Sequence, residues 1–431
     1  MIVLNPDQQD AVAFFKRWWN SDRRFAILEG AAGTGKTTIV QHLVKELNGC
    51  DPLYTASTNE ACKQLENVLP YGSLIKTVHS ALGFHFNSSS EVKALGKHGG
   101  VPTIMNDINL LIVDEASMLG KELLGAIEET GKKTLFIGHR SQLPEVVKNL
   151  SAFDDCESVV FKQEYPIYTL TTPERNKGEL FTFISSLEEV IYKQPRVFKA
   201  TYNKTLDFLL DYIDSKEGKK ELLTEESKVI CWSNAEVDKF NSYIRKSVFN
   251  SKELPAFVPK DRIIFTEPVQ FVEPLTGLSK TKIANYVGSD KIVTFSANTK
   301  GIVRKVGQTT VLHIPCWELE VDCGNGLRPL VYVAIDPRQL AMLESSLKQE
   351  AYAFSGRQAR EKAFRKYHFI MGLFAKVKHS YAITTHRSQG MTIPNVYVSW
   401  SDIRKCQNVY MKHKLLYVAA SRARDSLTII A

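Results

Sequence analysis

The chain has 431 residues, 44% of them hydrophobic and 24% charged, which is ordinary for a soluble globular protein of roughly two to four domains with ample core. Its net charge of +8, from 55 Lys+Arg against 47 Asp+Glu, permits an anionic partner without demanding one. Seven cysteines, an odd number with no C-x-x-C pair, complete neither a disulfide framework nor a zinc site, and fit buried free thiols in a reducing cytoplasm. No basic segment followed by an apolar core opens the chain, so no signal peptide is expected, and no apolar run approaches the ~20 residues of a membrane span.

Asn5-Pro6-Asp7-Gln8-Gln9 opens a helix, with Asn5 as its cap and Pro6 in the first turn. Ala11, Phe14, Phe15 and Trp18 recur at helical spacing, so this helix packs. The Gln8 carboxamide offers a donor and an acceptor together, as an adenine edge requires. An apolar run, Phe25 to Leu28, then enters Gly30, Ala31, Ala32, Gly33, Thr34, Gly35, Lys36, Thr37 and Thr38, and a helical pattern from Ile39 to Leu47 leads out. These residues fit G-x-x-x-x-G-K-[ST] between a strand and a helix, the setting of a phosphate-binding loop. Its backbone N–H groups and the helix N-terminus would hold phosphates. Lys36 would bridge the β- and γ-phosphates, and the Thr37 hydroxyl would coordinate Mg²⁺. ATP and Mg²⁺ are the cofactors this predicts.

Leu53 to Ala56 reads as a second strand, and Thr58 and Asn59 stand at its C-terminal end, where ligands bind in parallel α/β sheets. Thr77-Val78-His79-Ser80 follows, and a lone histidine there is more often structural than functional. From Gly83 to Gly100 the apolar periodicity breaks, and Phe84 and Phe86 alternate as strand residues do, so an inserted loop or hairpin is expected. Its tip would draw on Val92, Ala94 and Leu95, with Phe84 and Phe86 at the base. Leu110 to Val113 reads as a buried parallel strand ending in Asp114-Glu115. Asp114 would hold the metal and Glu115 would deprotonate the attacking water. Thr134 to Ile137 is a further strand, entering G-H-R-S-Q-L-P, and Gln142 could bond a γ-phosphate or the attacking water. Arg175 follows in T-T-P-E-R, where its position fits a surface arginine as well as a phosphate contact.

Asp214 to Glu226 reads as a solvated loop, and Val229 to Trp232 as a strand leading through Ser233-Asn234 into a helix from Ala235 to Arg245. This second strand-turn-helix unit predicts a second α/β domain. Between residues ~260 and 375 strand-like stretches appear at Ile292 to Phe295, Gly301 to Val306, Thr310 to Ile314 and Leu330 to Ile335, which indicates a small β-rich insertion. Leu340 to Lys378 is largely helical and basic, either a solvated face or one that tracks phosphates. Tyr381 to Thr384 then enters T-H-R-S-Q-G-M-T, and Leu415 to Val418 enters A-A-S-R-A-R.

Taken together and in this order, these stretches resemble the superfamily 1 DNA helicases, most of all the Dda-type bacteriophage helicases and their RecD-like relatives. The resemblance spans nearly the whole chain. It implies an α/β fold of two RecA-like P-loop NTPase motor domains, with a β-hairpin inserted in the first and a small β-barrel in the second. The expected division is 1–170 for the first motor domain, with the hairpin at about 82–108, then 171–265 and 376–431 for the second and 266–375 for the insertion. Position by position, Gln8 matches the adenine-contacting glutamine, Lys36 and Thr37 the phosphate and metal residues, and Asp114 and Glu115 the metal-binding and base carboxylates. Gln142 matches the γ-phosphate sensor, and Arg175 and Arg422 match two arginines that reach the γ-phosphate across the cleft. Gln389-Gly390 matches the glutamine-glycine pair of the penultimate motif. Thr58, Asn59, Thr77, His79, Asn234, Thr385 and His386 fall in motifs that contact single-stranded DNA or couple it to ATP. One departure is His139, which stands where the family usually has Asp.

The implied activity is ATP-dependent translocation on single-stranded DNA, 5′ to 3′, with duplex unwinding. The implied partners are single strands and forks, with single-strand-binding or replisome proteins as further candidates. A monomer in the cytoplasm, the host's if the chain is phage-encoded, is expected. A DNA-dependent translocase that never separates strands and a P-loop small-molecule kinase are the alternatives. The kinase would need no second motor domain and no Arg422 motif.

Overall fold

The computed structural model describes residues 4–31, 33–47, 49–86, 92–94, 103–145, 156–172, 179–193, 203–271, 293–295, 297–324, 326 and 328–431. The chain divides into two compact units. One comprises Met1–Tyr212, Glu225–Val237 and Ile383–Ala431, the other Ile213–Thr224 and Asp238–Ala382.

The first unit is built on two sheets. A six-stranded sheet runs in the order Ile75–Thr77, Pro52–Ala56, Leu110–Asp114, Lys133–Gly138, Phe25–Gly30 and Ile167–Leu170, every pairing parallel. Its central strands are nearly continuous apolar runs because both faces are covered. Alternate residues go to opposite sides: Leu28, Ile112 and Leu135 pack with Phe15, Ile39 and Leu43, whereas Ile27, Val113 and Phe136 pack with Met105 and Ile127. Phe15, Ile39 and Leu43 come from the helices Pro6–Trp19 and Lys36–Glu46. The first of these opens with a reciprocal capping box, in which the Gln8 N–H donates to Asn5 Oδ1 at 2.8 Å and the Asn5 N–H to Gln8 Oε1 at 3.1 Å.

The second sheet places Ser227–Cys231, Ile393–Ser399, Ala423–Ile430 and Asn203–Lys204 side by side, again parallel, with Ala382–Thr384 at the other edge. The helix Val409–Ala420 is buried along most of its length against this sheet. The expected hairpin forms between Phe84–Phe86 and Val92–Ala94, with Phe84 opposite Ala94 and Phe86 opposite Val92. Val92 and Ala94 therefore belong to an arm of the hairpin and not to its tip, because they pair with the two phenylalanines. Leu95 lies outside the described residues. Phe84 is buried at the base and meets His79 edge to face at 6.3 Å, the packing role expected of it.

The second unit carries the β-rich insertion as an antiparallel sheet of Leu330–Ala334, Ile314–Asp322, Lys300–Val311, Arg262–Phe265 and Val377–His379. The two strands expected at 301–306 and 310–314 are one strand, Lys300–Val311, followed by a reversal at Leu312-His313. Both turn residues have positive φ, 52° and 67°, so the hairpin turns tightly without the Gly or Asn that would have announced it. Asp214 to Glu226 is mostly the helix Lys216–Thr224 and not a loop. Its inward positions are only Gly218 and Leu222, too few for an apolar period to show. The basic stretch near residue 350 forms two helices, Pro337–Tyr352 and Arg357–Gly372, packed around Leu347, Tyr367 and Ile370. Elsewhere in this unit the buried Asp261 takes a two-pronged contact from Arg245 at 2.8 and 2.7 Å. All seven cysteines are free thiols, five of them buried.

Candidate active site

The strand Phe25–Gly30 delivers the chain into a turn in which Gly33 and Gly35 have φ of 85° and 82°. An L side chain rarely adopts that conformation, and it turns the peptide N–H groups toward one point. Gly35 caps the helix Lys36–Glu46 with no side-chain hydrogen bond, so the first N–H groups of the helix face the same point. Lys36 Nζ donates to Gly30 O at 2.7 Å and Ala31 O at 2.9 Å, and Thr34 Oγ1 donates to Ala31 O at 2.9 Å. Gln8 braces the loop by donating from Nε2 to Thr34 O at 3.3 Å, while its Oε1 serves the cap. Ala32 lies outside the described residues.

Two strands away, Leu110–Asp114 brings Asp114 and Glu115 to the same edge of the sheet. Glu115 is left-handed, φ 52°, a conformation that costs a non-glycine residue about 1–3 kcal/mol and tends to persist where function uses it. Burial raises the Asp114 pKa to about 6, helped by the Glu115 charge and opposed by the Glu115 N–H and by Lys36. Strand Lys133–Gly138, between these two, ends in the turn that presents Gln142. Gln142 Oε1 accepts from the His139 N–H at 3.0 Å and from Ser117 Oγ at 3.4 Å, which fixes the amide. Its Nε2 donates to Glu115 Oε2 at 2.5 Å. Gln142 thus holds the carboxylate expected to act as base.

The segment that carries Gln142 is tied down on three sides. Arg140 reaches Glu29 through Nε at 2.8 Å and Nη2 at 3.0 Å. Burial alone would raise the Glu29 pKa, but the Arg140 hydrogen bonds, the His139 charge and the Arg140 charge outweigh it and the net shift is downward. His139 Nε2 lies 2.9 Å from Glu188 Oε1 on the helix Glu179–Lys193. Lys414, buried on the helix Val409–Ala420, donates to the carbonyls of Arg140, Gln142 and Cys156 at 2.5, 3.4 and 3.0 Å. Lys414, Glu29 and Glu188 were not singled out in the sequence. Lys414 follows Lys412 and His413 in its helix, so nothing in the sequence marked it as the buried one.

Arg422 comes from the second sheet. It is buried, donates through Nε to Val418 O at 3.1 Å and through Nη2 to Ser421 Oγ at 2.8 Å, and lines a cleft of ≈ 430 Å³ together with Lys36, Thr37, Thr38, Asp114, Glu115, Gln142 and Gly390. Gln41, Gln64, Thr392 and Ser421 line it too and were missed. Gln389 is buried beside Gly390, and its carboxamide has no hydrogen-bond partner among the described residues. Arg175 lies outside the described residues.

The residues expected at DNA are spread along the strand ends. Thr58 and Thr77 cap short helices, accepting from Ala61 N at 3.1 Å and Ser80 N at 3.2 Å. Asn59 begins the helix Asn59–Val68. His79 is partly buried, and burial, against the Glu122 charge, holds its pKa below the usual value. Asn234 is exposed at a helix start. The Thr385 side chain is buried, and its hydroxyl donates to Cys231 O at 3.1 Å, so it stitches elements together. His386 is half-buried and its pKa is lowered by burial.

Parallel strands that end in a glycine phosphate loop and a carboxylate pair, beside a second parallel sheet that contributes Arg422, define a P-loop NTPase with two RecA-like folds. A family model described as an AAA domain matches residues 3–178, and one described as a UvrD-like helicase C-terminal domain matches residues 379–430. The chain is 23% identical to the ATP-dependent DNA helicase dda of Enterobacteria phage T4, over 98% of both chains. It is also 23% identical to an uncharacterized protein of Acanthamoeba polyphaga mimivirus, over 95% of both. Among solved structures it is similar to a Pif1 helicase from a study of two coordinating Pif1 helicases at forked double-stranded DNA, with TM-score 0.54 and 18% identity over 100% of this chain and 92% of that one. A Pif1 helicase from Bacteroides in complex with ADP-AlF3 and single-stranded DNA gives TM-score 0.52 and 17% identity over 100% and 93%. The full-length likeness to the phage helicase and the two domain matches fit a superfamily 1 helicase.

Proposed function

We propose that this protein is an ATP-driven DNA helicase that moves along single-stranded DNA, 5′ to 3′, and separates the duplex ahead of it. One observation carries the reading: Lys36, Thr37, Asp114, Glu115 and Gln142 share one cleft with Arg422, which belongs to the other sheet. A small-molecule kinase needs no second parallel sheet to carry that arginine. The loop N–H groups and Lys36 bind the phosphates. Glu115, oriented by Gln142, accepts the proton of the attacking water. Arg422 meets the charge that develops on the γ-phosphoryl group, a role worth roughly 10³ to 10⁵ in rate in GTPases. The Thr37 hydroxyl and the Asp114 carboxylate, both oxygen donors of the kind Mg²⁺ takes, line the same cleft. They fit Mg²⁺, which when bound neutralises phosphate charge.

Hydrolysis removes the group on which Arg422 closes, so the two RecA-like folds can alternate their grips on a strand. The sheet-end residues Thr58, Thr77, His79, Asn234 and His386 are the proposed grips, with Thr385 as their support. We assign the first motor to residues 1–170 and the second to 171–265 and 376–431, with 266–375 as its insertion, whose sheet also takes in the flanking strands Arg262–Phe265 and Val377–His379. The polarity rests on the relationship to the Dda type. Single strands and forks are the substrates, with single-strand-binding or replisome proteins as further partners. We read the working form as a cytoplasmic monomer. Among the described residues no helix is long and apolar enough to cross a membrane.

The test is ATP turnover with and without oligo-dT, then strand displacement on duplexes with a 5′ or a 3′ tail. Strong stimulation by the oligonucleotide and displacement of the 5′-tailed duplex are expected, both lost in Lys36→Ala. Unstimulated turnover would favour the kinase, and stimulation without displacement the non-unwinding translocase.

A further inference from the structure

The function described so far leaves the basic helix pair of the second unit unused. The helix Arg357–Gly372 holds five basic residues, Arg357, Arg360, Lys362, Arg365 and Lys366, against one acidic residue, Glu361. Five minus one is +4, half of the +8 carried by the whole chain. So dense a concentration on 16 residues goes beyond what solubility needs. Some of these charges are spent locally: Lys366 pairs with Glu350 at 3.2 Å, and Arg360 donates to Phe354 O at 3.1 Å. Lys362 and Arg365 are exposed and have no partner among the described residues. They stand three residues apart, on neighbouring turns of one face.

Aromatic rings interleave with these charges. Tyr352 and Phe354, at the end of the preceding helix, are 64% and 44% exposed, although rings of that size are normally buried. Tyr352 is held edge to face on Phe364 at 5.1 Å, which fixes the ring while leaving much of it in solvent. Between the helices opens a groove of ≈ 360 Å³ with Leu347 and Tyr367 in its walls and Phe354, Lys362 and Lys366 among its lining residues. A basic rim tracks a phosphate backbone, and exposed ring faces take bases only where those bases are unpaired.

We propose that this helix pair is a second binding surface for single-stranded DNA, separate from the strand-end grips, with Lys362 and Arg365 on phosphates and Phe354 and Tyr352 stacking on bases. It rests on the reading of the protein as a DNA-dependent motor. Sequence tolerance follows, because every base has a stacking face and every nucleotide a phosphate.

The experiment uses the full chain and fluorescent oligo-dT, with anisotropy titrations at several salt concentrations. Two variants are compared with wild type, Lys362→Glu/Arg365→Glu and Phe354→Ala. Their thermal midpoints and DNA-free ATP turnover check the fold, since all three side chains are exposed and outside the nucleotide cleft. The charge variant is expected to bind about tenfold or more weakly, with a log–log salt slope shallower by about 1.4, two contacts at about 0.7 each for single strands. Phe354→Ala is expected to bind about fivefold or more weakly at unchanged slope. Wild-type affinity and slope in both variants overturn the proposal while leaving the helicase reading intact. A loss confined to blunt duplex, with oligo-dT unaffected, overturns it as well, since the rings then have no unpaired bases to meet. A wild type that binds no oligonucleotide brings down the motor reading and this proposal together.

Discussion

Two strand-to-helix turns in the first unit begin alike and end in opposite ways. Each leaves the C-terminal end of a buried parallel strand, Phe25–Gly30 in one sheet and Ser227–Cys231 in the other, and each enters a helix. At both, peptide N–H groups converge and favour negative charge. The first turn opens through Gly33 and Gly35 onto the cleft that Lys36 and Arg422 share. The second is filled by the protein itself. The buried Asp402 accepts from the Trp232 N–H at 2.9 Å and the Ser233 N–H at 2.8 Å, and from Ser233 Oγ at 3.0 Å. The same backbone geometry yields a substrate site when the anion must come from solution and a structural joint when the chain supplies its own. On the proposed function the two RecA-like folds would share one nucleotide.

The largest effect should come from the open turn's chemistry. Glu115→Gln keeps shape and volume but removes the proton acceptor. Turnover should fall by about 10² to 10⁴, with nucleotide binding retained in an equilibrium titration, and near-normal turnover would remove Glu115 from the role of base. Next comes the closed turn. Asp402→Ala strands two N–H donors and a hydroxyl that the carboxylate now satisfies, at about 3–5 kcal/mol in urea unfolding. Nucleotide stoichiometry should stay at one, because Asp402→Ala supplies none of the glycines or the lysine of the first turn. A second bound nucleotide would show that the carboxylate alone distinguishes the two.

The smallest effect lies at the base of the open turn, where Arg140 holds Glu29. The Glu29 pKa is depressed in the fold, so its stabilisation is full above the unfolded value, ~4.3 for a glutamate, and is lost as pH falls through the folded one. Arg140→Gln should cost about 2 kcal/mol near neutrality and flatten this part of the acid dependence. A variant that loses stability equally at every pH would mean that Arg140 acts by packing alone.

What could be read before the structure follows from how each feature is made. The phosphate loop, Asp114-Glu115 and Gln142 are contiguous side chains at strand ends, so their spacing announces them. Leu110 to Val113 was legible as a buried strand because the run is continuously apolar, while its division between two cores came only with the structure. Asp402 was not legible, because its partners are backbone groups some 170 residues earlier. Lys414 grips carbonyls, which have no sequence signature. His139 pairs with Glu188, which lies on a distant helix, so that contact was not legible either. The turn at Leu312-His313 broke the usual turn vocabulary, and the helix Lys216–Thr224 hid because only two of its residues face inward.

The thiols have a practical consequence. Burial pushes the Cys62 thiol up to about 12 and the Cys316 thiol to about 11, and burial with the neighbouring Asp51 charge does the same for Cys50. Alkylation proceeds through the thiolate, so at neutral pH these sulfurs offer maleimides almost nothing to attack. The loop at Tyr71, by contrast, stands fully in solvent. A fluorophore attached through Tyr71→Cys would have little competition from these three native thiols, and with the half-buried Cys323 replaced its signal would come from a position the experimenter chose.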